Sequence, residues 1–355
     1  MISYEDYLRL LPKAELHCHF AGTIRATRLV ELAAKHDIEL PTTDPEQLYV
    51  YDNIFDFLAV YGVVHDVLIE REDFAVVAYD GIADAVAQGN LRYRELFVNV
   101  DSFMAAGVAY ATVIDGMIDG LTRAQHEFGV GFGIVPSINR SAAIELSMAM
   151  VQAMIDEPRP AVVGLGMDDL PADGLEAPER WLELYELASR HGLRRSAHVG
   201  EINGAPAANI AYALDVLGCD RIDHGYHVLD DPDLLARVVA DEVQFTCAPH
   251  STCAVYGFEL ATHPIKQMIN EGVRLTLNSD DPPMFHTDIG LEYSETLAAM
   301  AFGPDVAKRL SLQAIEAAWC DEEAKQSLTR DFVAQFAALD AVLDPSSVPP
   351  VVNAS

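Results

Sequence analysis

Eight short apolar segments, separated for the most part by stretches whose apolar residues have helical spacing, run through this chain. Strands that alternate with helices in this way pair in parallel, because a helix carries the chain back across the sheet. About eight such units close a (β/α)8 barrel, so the sequence predicts an α/β fold of the TIM-barrel type. A doubly wound open sheet is the alternative, but no glycine-rich nucleotide-binding motif follows any of the segments. The predicted strands are residues 15–19, 93–100, 132–138, 161–167, 195–199, 221–223, 243–248 and 273–278.

The length of the chain and an interruption after the first strand bear on domain organisation. A chain of 355 residues suits one undivided barrel, and we expect residues 1–341 to form a single domain. Residues 53–90 are predicted to be a helical insertion after the first strand, with aromatic residues at helical spacing. That aromatic stripe is typical of core packing, although its place at the presumed active end also suits a lid. Residues 342–355 are expected to form a loose tail.

The charge balance restricts the classes of partner. With 23 basic and 55 acidic residues, the formal net charge is −32. Such a surface repels phosphate backbones and anionic lipids, so we expect neither nucleic acid nor membrane as a partner. A small neutral or cationic substrate is compatible with it. The 5 cysteines are scattered, which favours free thiols and a cytoplasmic location over a disulfide framework.

The stretch Lys13–Phe20 contains two histidines separated by one residue. Side chains alternate between the two faces of a strand, so His17 and His19 are expected to point the same way. Two imidazoles on one face at the end of a strand suit a divalent metal. In a chain with 12 histidines the pattern also arises by chance, so further ligands are needed to support a metal site.

Those further ligands occur where later predicted strands end. His198 ends the fifth strand and Asp280 follows the eighth, and the chemistry of such barrels collects at these carboxyl ends. Three imidazoles and one carboxylate are a good ligand set for Zn²⁺ with an open position for water. We therefore predict that His17, His19, His198 and Asp280 hold one Zn²⁺, although Fe²⁺, Mn²⁺ and Co²⁺ accept the same ligands.

Three more polar residues beside these ligands are candidates for catalysis. Glu201 lies three residues beyond His198, where its carboxyl is suited to act as a general acid. His224, at the end of the sixth strand, is predicted to hold a water and to help deprotonate it. Asp281 directly follows Asp280 and is therefore expected to point towards substrate. The alternatives are a hydrogen-bonded core histidine for His224 and a helix N-cap before Pro282 for Asp281.

Four segments of the sequence resemble the adenosine/adenine deaminase family of metal-dependent hydrolases, in the order and spacing of that family. The resemblance implies a (β/α)8 barrel with one zinc and hydrolytic removal of a purine 6-amino group as ammonia. It implies metal ligation by the four residues predicted above, protonation of ring N1 by Glu201, orientation of the water by His224 and a hydrogen bond from Asp281 to ring N7. The segments are residues 12–19 (PKAELHCH), 196–201 (SAHVGE), 223–225 (DHG) and 278–282 (NSDDP).

Departures from the family pattern bear on the substrate. Adenosine deaminases usually carry an aspartate that contacts ribose where this chain has Ala21, and the run from Gly166 to Asp168 is closer to that of adenine deaminases. We therefore take Ala21, Gly166, Asp168 and Asp281 as candidate substrate-binding residues and favour adenine modestly. Adenosine and aminodeoxyfutalosine remain alternatives, because residues 263–266 and 281–285 resemble deaminases of modified adenine nucleosides.

Two functions of other classes remain compatible with the sequence. One is a barrel metallohydrolase that cleaves an amide or an ester, and the other is a binding protein without catalytic activity. An intact Glu201 beside the metal ligands argues against the first, because amide or ester hydrolysis does not require protonation of a ring nitrogen. The complete ligand set argues against the second, because a binding protein would be expected to have lost ligands or the acid. The sequence does not indicate an oligomeric state.

Overall fold

The computed structural model describes residues 1–51, 54–171 and 173–350, with the backbone alone at residues 54–56. Eight parallel strands form one sheet whose spatial order follows the sequence order. Helices connect the strands and surround them, which confirms the predicted (β/α)8 barrel. The strands are β1 Lys13–His19, β2 Leu91–Val98, β3 Gly131–Asn139, β4 Gly164–Asp168, β5 Arg194–Val199, β6 Arg221–His224, β7 Gln244–Cys247 and β8 Arg274–Leu277.

The first strand meets the segment that follows the last strand. Cys18 of β1 forms a parallel bridge with Asp280, which lies just beyond β8. The amide of His19 donates to the carbonyl of Asp280 at 2.8 Å, and the amide of Asp280 donates to the carbonyl of His17 at 3.3 Å. This closure places Asp280 beside both histidines of β1.

Buried charged side chains support the same junction from within the barrel. The guanidinium of Arg94 on β2 donates to Glu15 on β1 at 2.5 Å, and both side chains are almost completely buried. The other carboxylate oxygen of Glu15 accepts hydrogen bonds from the amide of Ser279 at 2.7 Å and from its hydroxyl at 2.6 Å. A buried ion pair needs such additional hydrogen bonds to offset the loss of hydration. Glu15 thereby fixes the segment that carries Asp280.

The helices of the described residues include the expected outer layer and several additional elements. Between the seventh and eighth strands, and after the eighth, lie two helices that the sequence pattern did not reveal, α12 and α14. The helices are α1 Tyr4–Leu10, α2 Ala26–Lys35, α3 Pro45–Leu48, α4 Ile54–Val67, α5 Arg71–Gly89, α6 Val100–Ala105, α7 Tyr110–Phe128, α8 Ile144–Asp156, α9 Leu182–Arg190, α10 Ala208–Asp215, α11 Pro232–Ala240, α12 Pro249–Tyr256, α13 Pro264–Asn270, α14 Ile289–Ala299, α15 Pro304–Ala317 and α16 Glu322–Asp340.

Local sequence explains the ends of the long helix that precedes β2. Helix α5 begins with a capping box, in which the side chains of Glu70 and Asp73 accept hydrogen bonds from each other's backbone amides. It ends at Asn90, which adopts the left-handed conformation with φ of 54°. Helix α7 packs closely against it, since a side chain at Gly120 would place its Cβ 1.9 Å from the carbonyl oxygen of Ala75.

Helices α2 to α5 lie between β1 and β2, and α4 contributes a wall to the pocket described below. The ring of Phe57 on α4 stacks on Phe285 with centroids 4.8 Å apart. The predicted insertion began at residue 53, which lies outside the described residues. Whether α4 moves as a lid stays a prediction.

The tail predicted over residues 342–355 is described as far as residue 350. Leu343 forms a parallel bridge with Ile2, and the hydroxyl of Ser347 accepts a hydrogen bond from the amide of Tyr4 at 2.9 Å. Residues 351–355 lie outside the described residues, and the domain boundary at residue 341 stays a prediction. Among the helices that the structure describes, none is both long enough and apolar enough to cross a membrane.

Candidate active site

A pocket of about 380 Å³ lies at the carboxyl ends of the strands. Its floor contains six of the seven residues that the sequence predicts to bind metal or to catalyse, and the seventh, His17, is completely buried beneath them. Apolar side chains of α4, together with Phe285, form one wall. A concave site that combines an aromatic and apolar wall with convergent polar groups is typical of small-molecule binding. The predicted residues at the floor are His19, His198, Glu201, His224, Asp280 and Asp281.

The four predicted metal ligands converge on one region. Oδ1 of Asp280 lies 3.3 Å from Nε2 of His17 and 3.1 Å from Nε2 of His19. Nε2 of His198 lies 3.3 Å from Nε2 of His19. Two ligands held tetrahedrally at 2.0–2.1 Å from a zinc ion are about 3.4 Å apart. The observed separations therefore fit adjacent ligands of one small cation.

In His17, His19 and His198, the ring nitrogen Nδ1 lies close to a second polar side chain. Nδ1 of His17 lies 3.1 Å from the hydroxyl of Thr246, and Nδ1 of His19 lies 3.3 Å from Asp168. Nδ1 of His198 lies 3.4 Å from Asp223. Partners of this kind orient metal-binding imidazoles and fix their tautomer. Nε2 of His17 is buried and has no hydrogen-bond partner among the described residues, as expected of an atom reserved for a metal.

A second grouping extends the cluster towards His224. The donor atoms of His17, His198 and His224 lie within 4.8 Å of one another, as do those of His17, His19 and Asp280. The two groupings share His17, which is completely buried. His224 therefore lies close enough to the metal ligands to contact a water that such a cation holds.

The ionisation states suit a cation site. Burial by itself raises the pKa of Asp280, but attraction to the imidazoles of His17 and His19 outweighs it and holds that pKa well below its usual range. Burial, reinforced by the neighbouring His17 and His198, lowers the pKa of His224 well below its usual range. Asp280 therefore carries its negative charge, and His224 is a neutral imidazole.

Glu201 faces His224 across the pocket floor. Oε1 of Glu201 lies 3.6 Å from Nε2 of His224. The pKa of Glu201 is raised to about 8, mainly because the carboxyl is buried and in addition because Asp280 repels its negative form. The carboxyl is therefore largely protonated at neutral pH and has a proton to donate, as a general acid requires.

Asp281 lies on the other side of Asp280, in a tight contact with the chain. Burial raises the pKa of Asp281 well above its usual range. Attraction to His19 opposes this effect, while repulsion from Asp280 and Asp168 adds to it. Its Oδ1 is buried and has no hydrogen-bond partner in the described part of the chain. Gly22 packs directly against it, because a Cβ there would lie 1.8 Å from Oδ1 of Asp281. Asp281 thus lines the pocket with a carboxyl that holds its proton more tightly than usual, while its Oδ1 packs against Gly22.

Two of the predicted residues have an unusual backbone. His224 has φ of 62° and Asp280 has φ of 61°, the left-handed region that side chains with a Cβ seldom adopt. Such conformations occur at functional sites, where the surrounding structure over-determines them. Here each one turns its side chain towards the pocket at the point where a strand ends.

The other predicted substrate-binding residues occupy different positions. Asp168 lines the pocket, but its carboxylate contacts His19 and accepts a hydrogen bond from the side chain of Asn99 at 2.5 Å. Gly166 lies within the barrel, where a Cβ would be 2.7 Å from the ring of Phe97. Ala21 is buried, with 5% of its surface exposed, and is not among the residues lining the pocket. Substrate contact by these three residues stays a prediction.

Sequence reasoning missed several residues that complete the site. Thr246, Asn99 and Tyr226 are ordinary residues in the sequence, and only their distances to the histidines and to Asp168 give them a role. The hydroxyl of Tyr226 lies 3.2 Å from Nδ1 of His224. Asp223 was visible as a strand-end carboxylate, and its place in the 223–225 segment was a usable signal. Glu176 lies in a loop with no regular pattern, so nothing in the sequence marked it.

Comparisons with known proteins agree with this geometry. Residues 12–335 match the sequence model of a family described as adenosine deaminase. An adenine deaminase from Cupriavidus pinatubonensis is 33% identical over 318 residues, which cover 88% of this chain and 89% of the relative. An adenine deaminase from Streptomyces coelicolor is also 33% identical, over 90% of this chain and 93% of the relative.

Solved structures lead to the same group. The crystal structure of an adenine deaminase from Arthrobacter aurescens has a TM-score of 0.85 at 29% identity, covering 92% of this chain and 99% of that chain. An amidohydrolase from Burkholderia ambifaria with bound Zn has a TM-score of 0.88 at 28% identity, covering 96% of this chain and 94% of that chain. The chain therefore belongs to the adenosine deaminase family and is a metal-dependent hydrolytic deaminase.

Proposed function

We propose that this chain removes the 6-amino group of a purine by hydrolysis, with the free base adenine preferred over adenosine. The observation that carries this proposal is the protonated Glu201 carboxyl facing the cluster of metal-binding side chains across the pocket floor. A proton donor in that place serves a ring nitrogen, which becomes more basic as the ring loses aromatic character. Hydrolysis of an amide also needs a proton donor, for the leaving amine, so ammonia release from a purine is the result that distinguishes the two reactions.

We propose that His17, His19, His198 and Asp280 hold one zinc ion per chain. A cation in that place lowers the pKa of a water towards about 7 and so makes a nucleophile at neutral pH. The chemistry of the donors favours zinc, and the related amidohydrolase contains Zn. Fe²⁺, Mn²⁺ and Co²⁺ suit the same donors, so metal analysis of the purified protein decides the identity.

The side chains of the chain itself then move the protons. Glu201 donates its proton to N1 of the ring while the water oxygen adds to C6, which neutralises the charge that develops on the ring. The neutral imidazole of His224 accepts a proton from that water. The protonated His224 then gives its proton to the amino nitrogen as the bond from C6 to that nitrogen breaks, and ammonia leaves. The hydroxyl at C6 returns its proton to Glu201, so the 6-oxopurine remains and both side chains regain their starting states.

Asp281 has the properties of a binding group for the five-membered ring. Because its pKa is raised, the carboxyl keeps a proton that it can donate to N7, which is an acceptor only. The contact with Gly22 fixes its position. We propose that Asp281 orients the purine so that C6 lies over the metal site.

Adenine is favoured by the sequence relatives and by the residue at position 21. The relatives described above are adenine deaminases, and Ala21 offers no carboxylate to a ribose. Deamination of adenosine or of a modified nucleoside such as aminodeoxyfutalosine is the second candidate, and the size of the pocket favours it. A volume of about 380 Å³ lies within the range of roughly 300–1,000 Å³ found for pockets that hold drug-sized ligands. The ten bonded heavy atoms of adenine need less, so space remains for a substituent.

The free thiols indicate where the reaction takes place. The cysteines of the chain are free, and three of them, Cys18, Cys219 and Cys247, are buried. Free buried thiols are typical of proteins kept in a reducing compartment. We propose a cytoplasmic location on this basis.

Ammonia release by zinc-loaded protein tests the proposal. Adenine, adenosine, deoxyadenosine, N6-substituted adenines and aminodeoxyfutalosine are offered in parallel. We expect the highest kcat/KM with adenine. A higher value with a nucleoside would favour the second candidate, and absence of ammonia from every compound with zinc bound would contradict both.

A further inference from the structure

The carboxylate of Glu176 occupies a nest of backbone amides in the loop that carries Glu201. Its Oε1 accepts hydrogen bonds from the amides of Glu201 at 2.9 Å and Ile202 at 3.2 Å. Its Oε2 accepts from the amide of Gly200 at 2.9 Å and from the side-chain nitrogen of Asn209 at 2.7 Å. Three successive amides that converge on one anion form a nest of the kind that binds phosphates and carboxylates.

This arrangement requires a carboxylate. Glu176 is 3% exposed, and a buried carboxylate is tolerated only when hydrogen bonds replace its hydration. Each of its two oxygens accepts hydrogen bonds from two donors. In a glutamine, the NH2 group would replace one of these oxygens and would point its own hydrogen atoms at N–H groups, which cannot accept them. Hydrogen bonds to a charged acceptor are also stronger than neutral ones.

Further contacts restrict the backbone of the loop that carries Glu201. Gly200 has φ of 68°, and a Cβ there would lie 2.6 Å from Ile210. The carbonyl of Gly200 accepts a hydrogen bond from the amide of His227 at 3.0 Å. With its backbone anchored on both sides, the loop directs the side chain of Glu201 into the pocket.

We propose that Glu176 is a positioning residue for the proton donor, holding the backbone of residues 200–202 so that the Glu201 carboxyl faces the ring nitrogen of the substrate. The inference rests on the proton-donor role of Glu201 proposed above. Glu176 itself does not line the pocket, so it acts through Glu201 and not on the substrate.

The charge of Glu176 has a second effect on the same group. Besides burial and Asp280, Glu176 raises the pKa of Glu201, while Arg140 and His19 lower it. His224, at 3.6 Å, and the phenols of Tyr226 and Tyr256 are further titratable groups near Glu201. Loss of the Glu176 charge therefore shifts the pKa of Glu201 downwards. The upper pH limit of activity should move in the same direction.

Hydrogen exchange tests the backbone part of the proposal without reference to catalysis. In the zinc-loaded Glu176→Gln variant we expect the amides of residues 200–202 to exchange at least about tenfold faster than in the wild type. Asp73→Asn is the matched control, because Asp73 is a buried carboxylate that accepts from the amides of Ile69 and Glu70. That variant should leave exchange in residues 200–202 unchanged.

A double-mutant cycle tests the link to Glu201. Glu176→Gln should lower kcat/KM by about 10- to 100-fold, which is at most the lower end of the roughly 10²- to 10⁴-fold that a general acid contributes. In a Glu201→Gln background the same change should cost less than about threefold, because residues that act as a unit are not additive. The upper pH limit of activity should also fall in the single variant, and zinc content should be unchanged.

A milder variant keeps the test valid if Glu176→Gln folds poorly. Asn209→Ala removes one of the four hydrogen bonds and leaves the three backbone contacts, so kcat/KM should fall less than about threefold. Unchanged exchange in residues 200–202 of Glu176→Gln would overturn the proposal, as would an equal loss of kcat/KM in the wild-type and Glu201→Gln backgrounds. If no purine is deaminated at all, the exchange result still decides whether Glu176 holds the loop.

Discussion

The carboxylate of Asp223 supports two of the proposed metal ligands at once. Its Oδ1 accepts a hydrogen bond from the hydroxyl of Thr246 at 2.7 Å, and that hydroxyl lies 3.1 Å from Nδ1 of His17. Its Oδ2 lies 3.4 Å from Nδ1 of His198. Although burial raises the pKa of Asp223, the neighbouring His198, with the attraction of His17 and Arg221, outweighs it and holds the pKa well below its usual range. Asp223 is therefore a buried negative charge behind both histidines.

The variant Asp223→Asn keeps the shape of this side chain and removes its charge. Loss of a partner behind a metal ligand typically costs 10- to 100-fold in metal affinity or activity. Because Asp223 serves both His17 and His198, we expect the upper end, about 100-fold or about 2.7 kcal/mol. Asp168→Asn is the matched control, since Asp168 contacts only His19 among these ligands, at 3.3 Å. There we expect a loss of about tenfold.

Zinc affinity measured by competition with a calibrated chelator distinguishes the two variants. The thermal midpoint of each zinc-loaded variant serves as the folding control. At saturating zinc, kcat/KM of Asp223→Asn should recover in part, because added metal offsets the weaker site. If Asp168→Asn weakened zinc binding as much as Asp223→Asn, the idea that one carboxylate supports two ligands would be wrong.

Three further predictions concern the proton donor, a buried ion pair and the residue at position 21. Because Glu201 must be protonated and its pKa is raised to about 8, kcat/KM should fall above about pH 8; a flat profile up to about pH 10 would exclude Glu201 as the acid. Burial lowers the pKa of His250, but ion pairs with Glu292 and Glu295 outweigh it and raise the pKa to about 9. These ion pairs should therefore stabilise the fold fully below about pH 6.5, and the stabilisation should be lost as the pH rises through about 9. The difference in thermal midpoint between wild type and His250→Gln should therefore shrink between about pH 6 and pH 10, and a constant difference would contradict the pairing. Ala21→Asp should improve the use of adenosine relative to adenine, and an unchanged ratio of kcat/KM would show that position 21 does not discriminate.

Much of the fold follows from patterns that the sequence displays directly. The alternation of apolar strands and helices predicts the barrel, because parallel strands need helical crossovers. Period-two geometry places His17 and His19 on one face, and the structure brings their Nε2 atoms to the same oxygen of Asp280. The carboxyl ends of parallel strands meet at one edge, which is why strand-end residues far apart in sequence come together.

Other features depend on contacts that no local pattern encodes. The left-handed backbone of His224 and Asp280 depends on the barrel, because histidine and aspartate adopt this region more readily than most residues but do so only in a suitable tertiary context. Thr246 lies within a strand and reaches His17 across the barrel. Glu176 comes from an irregular loop and meets amides in a different loop. In each case the partner is distant in sequence, so periodicity carries no information about it.

Deamination of adenine in ¹⁸O-labelled water tests the central claim most directly. The zinc-loaded protein should release one ammonia per purine and leave one ¹⁸O atom at C6 of the 6-oxopurine, as hydrolysis at that carbon requires. Removal of the metal by a chelator should abolish the reaction, and added zinc should restore it. If zinc-loaded protein formed no labelled 6-oxopurine from adenine or from any adenine nucleoside, the assignment of a purine substrate to this site would be wrong.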